Sequence, residues 1–326
     1  MKNALIFGLT GQDGTYLANF LLDKGYNVSG TFRRTSHKCF ERLEEIEIFE
    51  KVTTIKADLA DYGSILSAIK QAKPDEIYNL AAQSFVGASF QQPILTSDIT
   101  GLGVLRVLEA TREKAPDAKF YQASSSEMYG DYPESKNELS PFIPRSPYGA
   151  AKVFAHHITN HYREAYNIFG CCGILFNHES PLRGLEFVTR KITWALARIK
   201  FGKQERLQLG NINAKRDWGY AGNYVEAMWM MLQQEKPEDY VIATGESHSV
   251  EEFLTLASKH AGLGDWHDFV DIDESMIRPT DIEDLVGDAT KAKEQLGWKP
   301  KTDFIELVKK MVDHDIEYHK SYALHS

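Results

Sequence analysis

The sequence predicts a doubly wound α/β fold, in which helices cover both faces of a parallel sheet and a smaller C-terminal lobe follows. Three observations predict it. Through the first half of the chain, short apolar runs alternate with helix-length amphipathic stretches, the pattern left by buried parallel strands and the crossovers that join them. A glycine-rich turn separates the first apolar run from the first amphipathic stretch. After about Phe176 the rhythm breaks, which marks a second packing unit.

Taken in order, residues 3–7, 27–31, 52–56, 76–80, 119–123 and 170–176 read as strands. Residues 15–24 read as the first helix, and a long helical stretch opens near Tyr148. In the second half, 239–243 is strand-like, and 250–261 and 303–319 are helix candidates set among irregular polar segments. We expect a sheet domain over 1–176, joined again by some later segments, and a second lobe made mainly of 177–326. No repeat, low-complexity tract or Gly/Ser-rich linker separates the halves, so the lobes should pack together.

The chain has 326 residues, 43% of them hydrophobic and 25% charged. That composition excludes a disordered, collagen-like or coiled-coil chain and leaves room for about two packed units. No run approaches the roughly 18 apolar residues of a membrane span. Met-Lys-Asn leads directly into Ala4-Leu5-Ile6-Phe7-Gly8 rather than into a signal-peptide core. The expectation is a soluble, cytoplasmic protein with no membrane partner. With 37 basic and 46 acidic residues the net charge is −9, which argues against nucleic-acid binding while allowing a local basic pocket for a small anion. Three cysteines, two of them adjacent at Cys171 and Cys172, make no disulfide framework and read as reduced packing residues.

Gly8-Leu9-Thr10-Gly11-Gln12-Asp13-Gly14 follows the first strand and opens the first helix. A side chain at these glycines would hold the backbone away from a pyrophosphate, which must reach the helix amides and the positive end of the helix dipole. Strand, glycine turn and helix together form the Rossmann dinucleotide arrangement. An NAD enzyme places Asp or Glu about twenty residues further on, against the ribose 2′-hydroxyl. This chain has Arg33-Arg34-Thr35-Ser36 there. Two guanidiniums and two hydroxyls suit a 2′-phosphate, so NADP is the expected cofactor.

Tyr148 and Lys152 stand four apart at the start of a long helical stretch, which puts them on one face about 6 Å apart at Cβ. A phenol of ordinary pKa near 10 is a poor base unless a cation favours the phenolate, and Lys152 can supply that field. Ser124-Ser125-Ser126-Glu127 leaves the fifth strand at its carboxyl end, the edge where ligands of open α/β sheets collect. Its hydroxyls can hydrogen-bond a sugar, and Glu127 can move protons. Further on come Asn177-His178-Glu179, Arg190, Lys191, Lys215, Arg216 and Arg278. Cations gathered from these would bind a diphosphate. His157 and His161 lack the partners of a metal motif, and no metal is expected. His156, His157 and His161 read as helix-surface or subunit-contact residues, and Trp218, Trp229 and Trp298 as core.

These residues sit in longer motifs: N-L-A-A-Q-S at 79–84, Q-A-S-S-S-E-M-Y-G at 122–130, L-F-N-H-E-S-P at 175–181, F-V-T-R-K-I-T at 187–193 and L-G-N-I-N-A-K-R-D-W-G at 209–219. With them the chain resembles the extended short-chain dehydrogenases/reductases, most closely the GDP-mannose 4,6-dehydratase family, almost end to end. The resemblance implies an NADP cradle of Gly8 through Gly14, Arg33, Arg34, Thr35, Ser36, Asp58, Leu59, Leu80, Ala81, Ala82, Gln83, Ser84, Tyr148, Lys152, His178 and Arg183. It implies a catalytic set of Ser125, Glu127, Tyr148 and Lys152. Ser84, Ser125, Glu127, Asn177, Lys191, Arg216 and Arg278 are implied for a GDP-sugar, and a homo-oligomer for the assembly. Four positions depart from the family pattern: Ser125 replaces Thr, Phe85 replaces His, Leu95 replaces Tyr and Leu182 replaces Arg. The reaction implied is an internal redox dehydration, in which Tyr148 handles the 4-hydroxyl proton and Glu127 the elimination of water across C5 and C6.

Overall fold

Apolar runs flanked by amphipathic helices become the strands of one parallel sheet. The structure, a computed structural model, describes residues 1–276 and 279–323. Six strands come first: β1 (Asn3–Phe7), β2 (Asn27–Phe32), β3 (Thr53–Lys56), β4 (Glu76–Asn79), β5 (Lys119–Ser125) and β6 (Gly170–Leu175). Shorter ones follow: β7 (Asn177–Glu179), β8 (Leu207–Leu209), β9 (Lys215–Arg216), β10 (Trp218–Tyr220), β11 (Tyr240–Ile242), β12 (His248–Ser249), β13 (Val270–Ile272) and β14 (Asp284–Leu285). The main sheet has seven strands in the order β11-β6-β5-β4-β1-β2-β3. The chain runs outward from β1 to β3 and restarts at β4 on the other side, so the strand order reverses between β1 and β4. That is where open α/β sheets bind ligands, beyond the carboxyl ends of the strands.

The six early strands match the expected runs closely. β5 continues two residues past 123, because Ser124 and Ser125 still pair with Ile174 and Leu175 of β6. β11 lies within 239–243 and joins the sheet beside β6. The first helix is Gln12–Asp23 rather than 15–24, since Gly14 allows the first turn to form against the strand end. A Cβ on Gly14 would stand 2.2 Å from the Gly8 carbonyl oxygen. The helix Val250–Ala261 has the expected bounds, set by a capping box between Ser249 and Glu252. The last helix, Phe304–Ala323, runs past residue 319. β7, β9, β10, β12 and β14 have two or three residues each, too few for an apolar alternation to show.

Apolar side chains fill both sheet faces. Leu17, Leu21, Tyr78, Val225 and Met228 pack on one face, and Ile65, Ile77, Val107, Leu108 and Phe120 on the other. A separate cluster of Leu196, Phe253, Leu254, Leu307, Val308 and Met311 ties together the helices Val188–Lys200, Val250–Ala261 and Phe304–Ala323. Met128, Ile174, Phe176, Val241, Ile282 and Leu285 pack where the β5–β6 end of the sheet meets β14. Trp218 and Trp298 are core as expected, and Trp229 is half-buried. His157 and His161 are exposed. His156 corrects the expectation: it is only 5% exposed, because its place on the helix turns it inward onto β5.

Candidate active site

The glycine turn is set by contact. Gly8 has φ +91°, and a Cβ on it would lie 2.9 Å from the Ala81 amide nitrogen, so β1 and the Leu80–Ala81 turn approach as closely as backbone allows. Gly11 is exposed and caps the first helix without a side-chain hydrogen bond. A Cβ there meets only the Gly8 oxygen, at 3.4 Å, and would otherwise project into open space. This cradle fits a dinucleotide: the helix end is uncapped, and a single methyl group would fill the approach to it.

Beyond the turn, a cleft of about 430 Å³ runs from Gly8 and Gly11 past Tyr148 to Arg216 and Asp281. Within it Tyr148 and Lys152 share one face of the helix Pro147–Tyr166, opposite the end of β5. The Lys152 ammonium donates to the Ala123 carbonyl at 2.6 Å, leaving N–H groups for a ribose. Burial pulls its pKa down to about 8, against the charge of Asp13. Tyr148 is also buried, and burial pushes its phenol above the ordinary range. The Ser125 hydroxyl and the Arg183 charge favour the phenolate, while Glu127 opposes it. The Lys152 ammonium stands 5.7 Å from the Tyr148 ring centroid, and Arg183, which also pairs with Glu179 at 3.1 Å, adds a second positive charge toward the same phenol. Ser125 also accepts the Glu127 amide at 3.2 Å. Tyr148, Ser125 and the half-buried Glu127 all line the cleft wall.

A buried network fastens β7 to the first helix. His178 Nε2 lies 2.7 Å from Asp13 Oδ2, and Nδ1 lies 2.7 Å from the Phe176 carbonyl. Gln12 donates to the His178 carbonyl at 3.1 Å and accepts Ser180 Oγ at 2.7 Å. Both ring nitrogens of His178 are engaged, so it holds β7 to the first helix rather than presenting a free imidazole. Arg42, passed over in the sequence, reaches the same place. Its guanidinium donates to the Leu182 and Thr10 carbonyls at 2.7 and 3.1 Å.

On the far side of the cleft, Lys191 has no ion-pair partner among the described residues, and burial alone lowers its pKa. Asn177 lines the cleft beside it. Arg216 is there too, already paired with Asp281 at 3.1 Å and donating to the Ile282 carbonyl at 2.7 Å. Arg278 lies outside the described residues. Other expected residues stand away from the cleft walls. Leu9 and Leu59 are buried in the cores of the two faces, and Asp58 caps its own turn at the Ala60 amide. Gln83 ties the Phe85 backbone to Thr96. Arg33, Arg34, Thr35 and Ser36 are exposed beyond β2, whereas Ala82 and Ser84 reach the cleft. Phe187, Glu179, Asn211 and Asp281 also line it. The Arg183 guanidinium covers the Phe187 ring at 3.6 Å, and Phe85 meets that ring edge-on at 5.9 Å. Glu179 and Phe187 lie inside the motifs at 175–181 and 187–193, which was the available signal.

A reversing strand order, a glycine cradle and a Tyr-x-x-x-Lys helix at the same sheet edge define an extended short-chain dehydrogenase/reductase fold. Solved structures agree: the UDP-glucose 4-epimerase of Thermus thermophilus, in complex with NAD, superposes with a TM-score of 0.84 at 26% identity, over 96% of this chain and 98% of that one. The dTDP-glucose 4,6-dehydratase of Bacillus anthracis, also with NAD, gives 0.84 at 20% identity, over 99% and 98%. The family model described as GDP-mannose 4,6 dehydratase matches residues 5–311, and the chain belongs to that family. GDP-mannose 4,6 dehydratase 1 of Arabidopsis thaliana is 55% identical over 98% of this chain and 91% of its own length. The human GDP-mannose 4,6 dehydratase is 48% identical over 96% and 91%.

Proposed function

We propose that this chain converts GDP-mannose to GDP-4-keto-6-deoxymannose and water with NADP bound in the glycine cradle. One observation carries the reading: Tyr148, Ser125 and Glu127 line the same cleft as Lys191, a cation with no ion-pair partner among the described residues. A hexose between them has a proton acceptor at its 4-hydroxyl, a carboxylate near C5 and C6, and a cation toward its diphosphate.

A nicotinamide, when bound, would supply the hydride chemistry, acceptance from C4 and donation to C6. Tyr148 takes the 4-hydroxyl proton, with the Ser125 hydroxyl and the positive charges of Lys152 and Arg183 stabilising its phenolate. The C4 ketone acidifies C5. Glu127 takes the C5 proton and passes it to the departing C6 hydroxyl, which leaves as water. Tyr148 then returns its proton to C5, and both residues end in their starting states. Lys152 orients a ribose, Lys191 and Asn177 hold the diphosphate, and Arg216 and Arg278 complete the grip. The helices around Phe253 and Leu307 would form the substrate lobe.

Exposed Arg33 and Arg34, with no ion pair among the described residues, favour NADP over NAD. Phe154 and Leu102 are exposed on neighbouring helical segments, which supports a homo-oligomer. Among the described residues no helix is long and apolar enough to cross a membrane, in keeping with a cytoplasmic enzyme. The alternative substrate is a GDP-linked heptose, since Phe85, where the family pattern has His, lines the cleft against Phe187 and reshapes its wall. Incubation with both GDP-sugars and NADP, read by mass spectrometry, tests the choice: loss of one water from GDP-mannose supports the reading, and unchanged GDP-mannose removes it.

A further inference from the structure

We infer that His156 is a positioning residue for this reaction, holding the Ser124–Glu127 turn against the helix that carries Tyr148. The inference rests on the reading of the cleft given above. Tyr148, Lys152 and His156 stand at i, i+4 and i+8 on one helix, and such residues share a face. All three reach the same few residues of β5. Tyr148 lines the cleft with Ser125, whose hydroxyl favours its phenolate, Lys152 bonds the Ala123 carbonyl at 2.6 Å, and His156 Nδ1 lies 3.1 Å from Ser124 Oγ. Ser124 therefore sits between the lysine's acceptor and the tyrosine's partner.

The far edge of the imidazole is held as well. Nε2 lies 3.3 Å from the Asn160 amide nitrogen and 3.7 Å from Asp239 Oδ2. Asp239 is itself fixed by Arg163 and by the Cys172 amide at 2.8 Å, and Phe142 meets the imidazole edge-on at 5.1 Å. His156, Cys172 and Asp239 bring three ligand-type atoms within 4.8 Å, but the Arg163 guanidinium occupies the carboxylate. The cluster is thus a brace rather than a metal seat. Burial lowers the His156 pKa to about 4, so near neutral pH one ring nitrogen donates and the other accepts. A hydroxyl such as that of Ser124 answers either role.

Misplacing a reacting group by 1 Å costs on the order of 10²-fold in rate. The test uses the full chain with NADP and GDP-mannose, comparing His156→Phe, His156→Gln and Ser124→Ala. His156→Phe keeps a ring and loses both nitrogens, and Ser124→Ala removes the same bond from the other end. Each should lower kcat at least about tenfold with KM near wild type, and speed amide hydrogen exchange in residues 123–128. His156→Gln should recover most of kcat. Unchanged kcat, a loss confined to KM, a glutamine variant as poor as the phenylalanine one, or unchanged exchange in 123–128 overturns the inference. Should His156→Phe not fold, Ser124→Ala decides alone. Wild-type protein that leaves GDP-mannose intact removes the functional reading instead, while the exchange measurement still decides the positioning role.

Discussion

The Asp13 carboxylate and the His178 imidazole form a partly buried ion pair, 2.7 Å apart, between the first helix and β7. Burial opposes both charges, yet their mutual attraction and hydrogen bond raise the His178 pKa and lower that of Asp13. The pair joins the cofactor cradle to the strand bearing Asn177. Its contribution to stability is complete above the ordinary Asp value and below the ordinary His value. It is lost as pH falls through the lowered Asp13 pKa, and again as pH rises through the raised His178 pKa. Asp13→Asn leaves the imidazolium buried and unpaired and should cost about 3–5 kcal/mol. Denaturant unfolding across pH 4–9 checks this: the variant should be less stable throughout and show a flatter decline on the alkaline side.

Tyr148→Phe and Glu127→Gln each remove one proton carrier while keeping the side chain's volume. Each should lower kcat on the order of 10²–10⁴-fold. NADP affinity, followed by fluorescence titration, should change little, because neither replacement alters the glycine turn or the Arg33–Arg34 segment.

Lys191 meets the cleft without a carboxylate partner among the described residues, so removing it strands no buried charge. Lys191→Ala should raise KM for GDP-mannose about ten- to a hundredfold, the value of a hydrogen bond to a charged group, with kcat little changed. The thermal midpoint should stay near that of the wild type. Steady-state kinetics and a melting curve separate these outcomes.

Arg33 and Arg34 are exposed, and replacing both with Ala should leave the fold's stability within about 0.5 kcal/mol. NADP binding should weaken while NAD binding is nearly constant. Isothermal titration with both dinucleotides reads the ratio; equal losses for the two would remove the proposed 2′-phosphate contact.

The glycine turn was readable because three glycines within seven residues follow a strand and open a helix; the reason for each is backbone standing where a Cβ would be, local for Gly14 at Gly8 and Leu9 but distant for Gly8 at Ala81. The Tyr148–Lys152 pair was readable because helical spacing alone puts both on one face. Asp13 and His178 each drew notice, but not as partners, since 165 residues separate them and no periodicity links them. The inward turn of His156 was hidden by its exposed neighbour His157, two histidines in a row giving no sign of which faces β5. Arg42 escaped because its partners are carbonyls, which every residue carries. The second lobe was least legible: strands of two or three residues leave no apolar pattern, and Arg216 looked free where Asp281 engages it.

The account turns on one cleft doing oxidation, elimination and reduction on one hexose. GDP-mannose carrying deuterium at C4, incubated with the full chain and catalytic NADP, tests this most directly by NMR and mass spectrometry of the product. The account predicts a 4-keto-6-deoxy product with the deuterium at C6 and no net rise in NADPH absorbance. A stereoisomer of the starting sugar, stoichiometric NADPH, or a dehydrated product lacking deuterium at C6 would contradict it.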